Sequence, residues 1–168
     1  MPNRWKPHVT VAAVIERDGL FLLVEEHTSA GLRLNNPAGH LDPDESLVQA
    51  CVRETLEETA FHFEPQALVG IYLTGPALSP GQDVQPRGER GITYLRFAFR
   101  GTLGAFNPER VLDKGIVRTL WLSPREIRAS RDRHRSPVLL RCVEDHLAGC
   151  SFPLDLLHTD FVSSYQPT

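Results

Sequence analysis

The chain is short of cysteine and has no C-x-x-C pair. Its three cysteines, Cys51, Cys142 and Cys150, are an odd and scattered set, which excludes a complete disulfide framework and a zinc-ribbon site. No apolar run is long enough to cross a bilayer as a helix. The N-terminus has no signal-like pattern, so reduced thiols and a cytoplasmic location are expected, with no membrane partner. Positive charge is not in excess either. The 18 Lys and Arg face 21 Asp and Glu, a net charge of -3, so no global basic field draws in nucleic acid. The most basic stretch, Arg125–Arg135 (REIRASRDRHR), lacks interleaved aromatics and contains Glu126 and Asp132. It reads as a solvated surface rather than an RNA site. There is no internal repeat. With 41% hydrophobic and 23% charged residues the chain is not disordered, and its length predicts one domain over residues 1–168.

What the chain does have is a concentration of acid on one helix. Arg53, Glu54, Glu57 and Glu58 fall within six residues. At 3.6 residues per turn the three glutamates share a face, although like charges at these spacings weaken an isolated helix. Val48, Val52, Thr55, Leu56 and Thr59 occupy the opposite face, which is expected to pack. A carboxylate face of this kind suits a hard divalent cation; taken alone, it is more often an ordinary solvated face, here with an Arg53–Glu57 pair. The preceding residues favour the first reading. Ser46 and Gln49 match a capping box that starts the helix. Asn36-Pro37-Ala38-Gly39 leads in with a glycine whose backbone can approach a ligand closely, and Glu45 is placed to reach Arg53.

Around this segment the pattern predicts a mixed α/β domain. His8–Ile15 reads as a buried strand, Asp18-Gly19 as a hairpin turn, and Leu20–Glu26 as the return strand. A short strand at Leu32–Leu34 precedes the acidic helix, Ser46–Thr59. Strands follow at Ala67–Leu73, Ile92–Phe99 and Thr119–Leu122, separated by long loops at Gly75–Gly91 and Gly101–Gly115. Ser123-Pro124 starts a helix to Ser130. Ser136-Pro137 repeats the signal before a helix at Val138–Ala148. Leu154, Leu156 and Leu157 are expected to dock the tail.

The stretch Gly39–Phe61 resembles the Nudix box, G-x5-E-x7-R-E-U-x-E-E-x-G-U, where U is aliphatic. Gly39, Glu45, Arg53, Glu54, Glu57 and Glu58 take its glycine and charged positions. Thr55 stands at the first U, Ala60 replaces the closing glycine, and Phe61 is aromatic at the last U. Alanine at position 60 resists the left-handed cap that glycine allows. The segments Lys6–Val11, Asn36–Leu41, Tyr94–Phe97, Trp121 and Arg135–Pro137 extend the similarity to Nudix phosphatases of broad scope. The 75–91 loop is longer than theirs.

The resemblance implies a Nudix α/β/α sandwich with the box as a loop–helix–loop. It implies a phosphatase acting on nucleoside di- and triphosphates, thiamine diphosphate and hydroxymethylpyrimidine diphosphate. The cofactor would be Mg²⁺, with Mn²⁺ as a substitute, held by Glu54, Glu57, Glu58 and the Gly39 carbonyl. Glu54 is the favoured base, and Glu45 with Arg53 orients the cluster. Asp113 or Glu109 is a candidate further acid. Arg96, Lys6 and Arg33, and behind them Arg135, are candidate phosphate contacts. His8 and His40 read as structural. The partner is a small phosphoanhydride substrate, and the protein a monomer or dimer. Two alternatives compete: a Nudix pyrophosphatase for ADP-ribose or nucleotide sugars, which Pro76 would suit, and a silent nucleotide-binding regulator, which the full acidic set disfavours.

Overall fold

The computed structural model describes residues 5–75 and 91–160. The 75–91 loop, including Pro76, therefore falls almost wholly outside the described residues. Two four-stranded sheets form the frame. The first has the order β5-β1-β7-β6, built from β1 (His8–Val14), β5 (Ala38–His40), β6 (Phe61–Thr74) and β7 (Tyr94–Phe106). It is mixed: β1 runs parallel to β7, while β1/β5 and β6/β7 are antiparallel. The second is centred on β3 (Leu20–Thr28), paired with β2 (Glu16–Arg17), β4 (Gly31–Asn35) and β8 (Ile116–Leu122), all antiparallel. Among the described residues three α-helices complete the fold: α1 (Leu47–Thr59), α2 (Pro124–Ala129) and α3 (Val138–Leu147).

Strand β1 explains the layering. Successive side chains point to opposite faces, and both faces are covered, so nearly the whole strand is apolar. Val11, Ala13 and Ile15 join Ala50 and Cys51 of α1 in one core cluster. Ala12 and Val14 join Leu139, Cys142 and Val143 of α3 in the other. The mixed sheet is thus the middle layer of an α/β/α arrangement. The Asp18-Gly19 turn has φ of 54° and 77°, the left-handed pair of a tight hairpin.

The elements exceed the expected strands where sequence signals are weakest. β6 begins at Phe61 rather than Ala67, and β7 runs on to Phe106, consuming the first part of the expected 101–115 loop. Their pairing carries irregularities around Pro65, where a strand interior tolerates proline only at such a break. Helix α1 also packs differently from its expected stripe. The buried positions are Ala50, Cys51, Thr55, Glu58 and Thr59, while Val48, Val52 and Leu56 are only half-buried. One of the acidic residues therefore faces the protein. Ala60 ends α1 in the left-handed conformation despite its Cβ, at φ 60°, with its N–H bonded to the Leu56 carbonyl at 3.0 Å. Ser123 caps α2 as expected, but Ser136 does not cap α3. In the tail Leu154 and Leu157 pack against the core, whereas Leu156 is exposed.

Candidate active site

The capping box fixes where α1 begins and hence what Glu45 can reach. Ser46 Oγ accepts from the Gln49 N–H at 3.2 Å, and the Gln49 side chain accepts from the Ser46 N–H at 2.8 Å. One residue earlier, buried Glu45 accepts from the Asp42 N–H at 2.8 Å. Two further bonds grip Arg53: Nε to Oε2 at 3.0 Å and Nη2 to Oε1 at 2.7 Å. Arg53 Nη2 also donates to the His40 carbonyl at 2.9 Å, tying α1 to β5. Its Nη1 donates to Glu54 at 2.8 Å and to Glu57 at 3.0 Å. One planar guanidinium thus serves three carboxylates, a geometry that a lysine ammonium cannot copy. Burial alone would raise the Glu45 pKa, but the Arg53 and Asp42 hydrogen bonds outweigh it and hold the carboxyl below its ordinary value.

Glu54 and Glu58 experience the opposite balance. Burial pushes the Glu58 carboxyl up to about 8, against the hydrogen bond from the Ala38 N–H at 2.8 Å, and the charges of Glu54, Glu26 and Asp113 add to the rise. Burial also raises Glu54, opposed by Arg53. Gly39 closes the gap between β5 and α1: a Cβ there would lie 2.0 Å from Glu54 Cδ. The glycine is required by close approach of side chain to backbone.

A cavity of about 430 Å³ opens between these carboxylates and the mixed sheet. Glu54, Glu58, Gly39 and His40 line it together with Thr10, Asn35, Arg96, Tyr94, Arg135 and Ser136. Through Thr74, Tyr94 and Ser136 it borders a second cavity of about 500 Å³, whose described lining, including Leu73, Ile92, Pro137 and Val138, has no charged residue. Arg96 carries its charge into the first cavity at a desolvation cost that lowers its pKa. Arg135 is held there by an ion pair with buried Glu26.

The structure brings together Gly39, Glu45, Arg53, Glu54, Glu58 and Arg96. Glu57 belongs to the same network but does not line the cavity; it is paired with Arg53 and, at 3.6 Å, with Arg110. Lys6 and Arg33 are not brought in. Lys6 is exposed ahead of β1, and Arg33 Nη1 is bonded to the neighbouring Leu32 carbonyl at 2.9 Å. The Asp113 N–H donates to the Glu57 carbonyl at 3.0 Å, which docks its loop on α1. Glu109 is exposed and does not line the cavity. Thr10, Asn35, Tyr94 and Ser136 were not anticipated. The available signal was that Thr10 and Arg96 interrupt apolar strands, but only the pairing Thr10↔Arg96 makes them neighbours.

The donor set fits a hard divalent ion in chemistry: carboxylates and a backbone carbonyl, with two carboxyls whose burial resists a free negative charge. The set is not gathered as it stands. Among the described residues no three His, Cys, Asp or Glu side chains converge as ion ligands; Arg53 is bonded to Glu54 and Glu57, and the Ala38 N–H to Glu58. Among the described residues, too, no helix is long and apolar enough to cross a membrane.

Comparison with known proteins gives concordant matches. The model of the NUDIX domain matches residues 6–142. Phosphatase NudJ of Escherichia coli K12 is 34% identical over 154 residues, covering 91% of this chain and 92% of NudJ. The structure of a NUDIX hydrolase from Nitrosomonas europaea superposes with a TM-score of 0.82 and is 46% identical, covering 95% of this chain and all (100%) of the other. The solution structure of the E. coli ORF135 protein has a TM-score of 0.61 at 24% identity, over 85% of this chain and 90% of that one, a likeness of fold alone.

Proposed function

The chain belongs to the Nudix family of hydrolases, which act on phosphoanhydrides, and on that premise we propose that it is a Mg²⁺-dependent phosphatase. Its substrates are nucleoside di- and triphosphates and thiamine-type diphosphates, including thiamine diphosphate and hydroxymethylpyrimidine diphosphate, and the product is orthophosphate. The observation that carries this reading is that Glu54, Glu58 and Arg96 line one cavity. Such a lining offers carboxylates that would hold a metal ion and a guanidinium that would meet a phosphate oxygen. The name of the relative NudJ agrees with it.

Glu54, Glu57, Glu58 and the Gly39 carbonyl would hold the ion. Bound there, Mg²⁺ would lower the pKa of water and offset charge on the phosphoryl oxygens. The rest is work for the side chains. Glu45 holds Arg53, and Arg53 keeps Glu54 and Glu57 from drifting apart under their own repulsion. Glu54 is the general base. Arg96 meets the phosphate, as a guanidinium can do with two parallel hydrogen bonds. The protein acts as one catalytic unit in the cytoplasm.

The test is a substrate panel assayed for released phosphate, with Mg²⁺ and with EDTA. Phosphate from thiamine diphosphate and from a nucleoside diphosphate, only with Mg²⁺, is the expected result. AMP from ADP-ribose without phosphate from either diphosphate would point instead to a pyrophosphatase.

A further inference from the structure

We propose that Glu26 is a positioning residue for the reaction: it holds the Arg135 guanidinium in the catalytic cavity, where Arg135 makes a second contact, beside that of Arg96, with the substrate phosphates. The inference rests on the phosphatase reading above and adds to it a residue that does not itself line the cavity.

Arg135 sits in the short connection between a 3-10 turn at Arg131–Arg133 and α3. Neither a helix nor a strand fixes it. Contacts with the second sheet do so instead. His134 forms a single parallel bridge with Leu34 of β4, and the Arg135 N–H donates to the Leu34 carbonyl at 2.9 Å. The guanidinium is ion-paired with Glu26 of β3. The backbone contacts place the residue but leave a long side chain free to choose its direction. Half of that side chain is exposed, and water is the ordinary destination of such a charge. Arg96 gives it a further reason to leave, since both arginines line one cavity. Burial lowers the Arg96 pKa, and the charge of Arg135 adds to the fall. The carboxylate of Glu26 offsets this repulsion and keeps Arg135 at the cavity wall.

The choice of partner is specific. The residue opposite Glu26 across the β3/β4 ladder is Arg33, the cation that cross-strand pairing would favour. Arg33 instead donates to the Leu32 carbonyl, and buried Glu26 takes Arg135, 109 positions along the chain. The neighbouring pair shows what anchoring alone looks like. Glu25, also buried, is ion-paired with Arg118 and Arg133, and none of these three lines the cavity. Both glutamates clamp the same segment to β3, but only Glu26 holds a cation in the catalytic cavity. That cation is not used up by the pairing. Among the described residues the side chain of Arg135 has one hydrogen bond, from Nη1 to Glu26. A guanidinium has five N–H donors, so others remain for phosphate oxygens.

The test is a double-mutant cycle on ADP hydrolysis by the full chain with Mg²⁺, followed as released phosphate. Arg135→Met should raise KM by about 10-fold or more with little change in kcat, as expected for a charge-assisted contact made in ground and transition state alike. Glu26→Gln should raise KM in the same way on its own and add nothing to Arg135→Met. Glu26→Asp, which keeps the charge but draws it back by one methylene, replaces the glutamine variant if that fails to fold, and should obey the same rule. Glu25→Gln should lower the melting temperature and leave KM where it is. If the Glu26 variants leave KM unchanged, or if Glu25→Gln raises it as much, the positioning role is overturned. It is overturned as well if Glu26→Gln acts equally with and without Arg135, because its charge also bears on Glu58 and Arg96. If wild type gives no phosphate from ADP but AMP from ADP-ribose, the phosphatase reading fails, and the same cycle on ADP-ribose decides the role of Glu26. If it turns over neither, melting shifts with inorganic pyrophosphate in EDTA decide it: wild type and Glu25→Gln should shift upward, and Glu26→Gln and Arg135→Met should shift less, while equal shifts in all four overturn it.

Discussion

Replacing Glu58 by Gln should make the metal-free protein more stable at neutral and alkaline pH while abolishing its activity. Glu58 is 9% exposed, and burial raises its carboxyl from 4.5 to about 8. The folded state then binds a proton more tightly than the unfolded chain. Stability attributable to Glu58 is full below pH 4.5 and is lost as pH rises through 8. Each pKa unit is worth about 1.4 kcal/mol, so the loss has a ceiling of about 5 kcal/mol, and water penetration brings it to about 2–5 kcal/mol. Glutamine keeps the acceptor for the Ala38 N–H at 2.8 Å and carries no charge at any pH. Urea unfolding in EDTA at pH 5.5, 7.0 and 8.5 should show wild type weakening relative to Glu58→Gln across this range. His40, His134 and His146, whose pKa values burial lowers, titrate in both proteins, so the difference between the two isolates Glu58. Saturating Mg²⁺ should restore wild type at pH 8.5, by about 2.7 kcal/mol at a hundredfold excess over Kd, and do much less for the variant. A wild-type-minus-variant difference that does not change with pH would refute the argument that burial raises the Glu58 carboxyl.

Four other outcomes are expected. Arg53→Lys should lose most of the activity although it keeps the charge, and Arg53→Ala should cost about 2–4 kcal/mol by stranding buried Glu45; a lysine variant with wild-type kcat/KM would show that the fork is not needed. Gly39→Ala should displace Glu54, since its Cβ would lie 2.0 Å from Glu54 Cδ, and lower kcat by about 100-fold; a crystal structure with Glu54 unmoved would contradict it. Ala60→Gly should stabilise the protein by about 0.5–1 kcal/mol, because alanine at φ 60° is strained, as read from thermal melts. Glu57→Gln should fold normally and lose Mg²⁺-dependent hydrolysis, and equal wild-type turnover in EDTA and Mg²⁺ would rule out the metal mechanism altogether.

The sequence by itself determined the acidic helix, its start and its grip on the preceding loop. The Ser46–Gln49 box, the Glu45–Arg53 pair and the three glutamates on one face follow from helix period and local hydrogen bonding, so residues only a few positions apart decide them. The mixed α/β class and the positions of β1, β3 and the three helices were legible for the same reason. Local pattern did not reveal the full lengths of β6 and β7, which persist through Pro65 and Gly101 because each strand supplies the other's partners. Nor could it tell that Glu58 faces inward, that Arg33 stays outside the cavity, or that Thr10 and Arg96 share its floor. Those facts depend on which strands lie side by side, and Thr10 and Arg96 are far apart in the chain. The tertiary structure joined them through the parallel pairing of β1 with β7. It thereby set a cation in the same cavity lining as carboxylates that the sequence had already placed on α1.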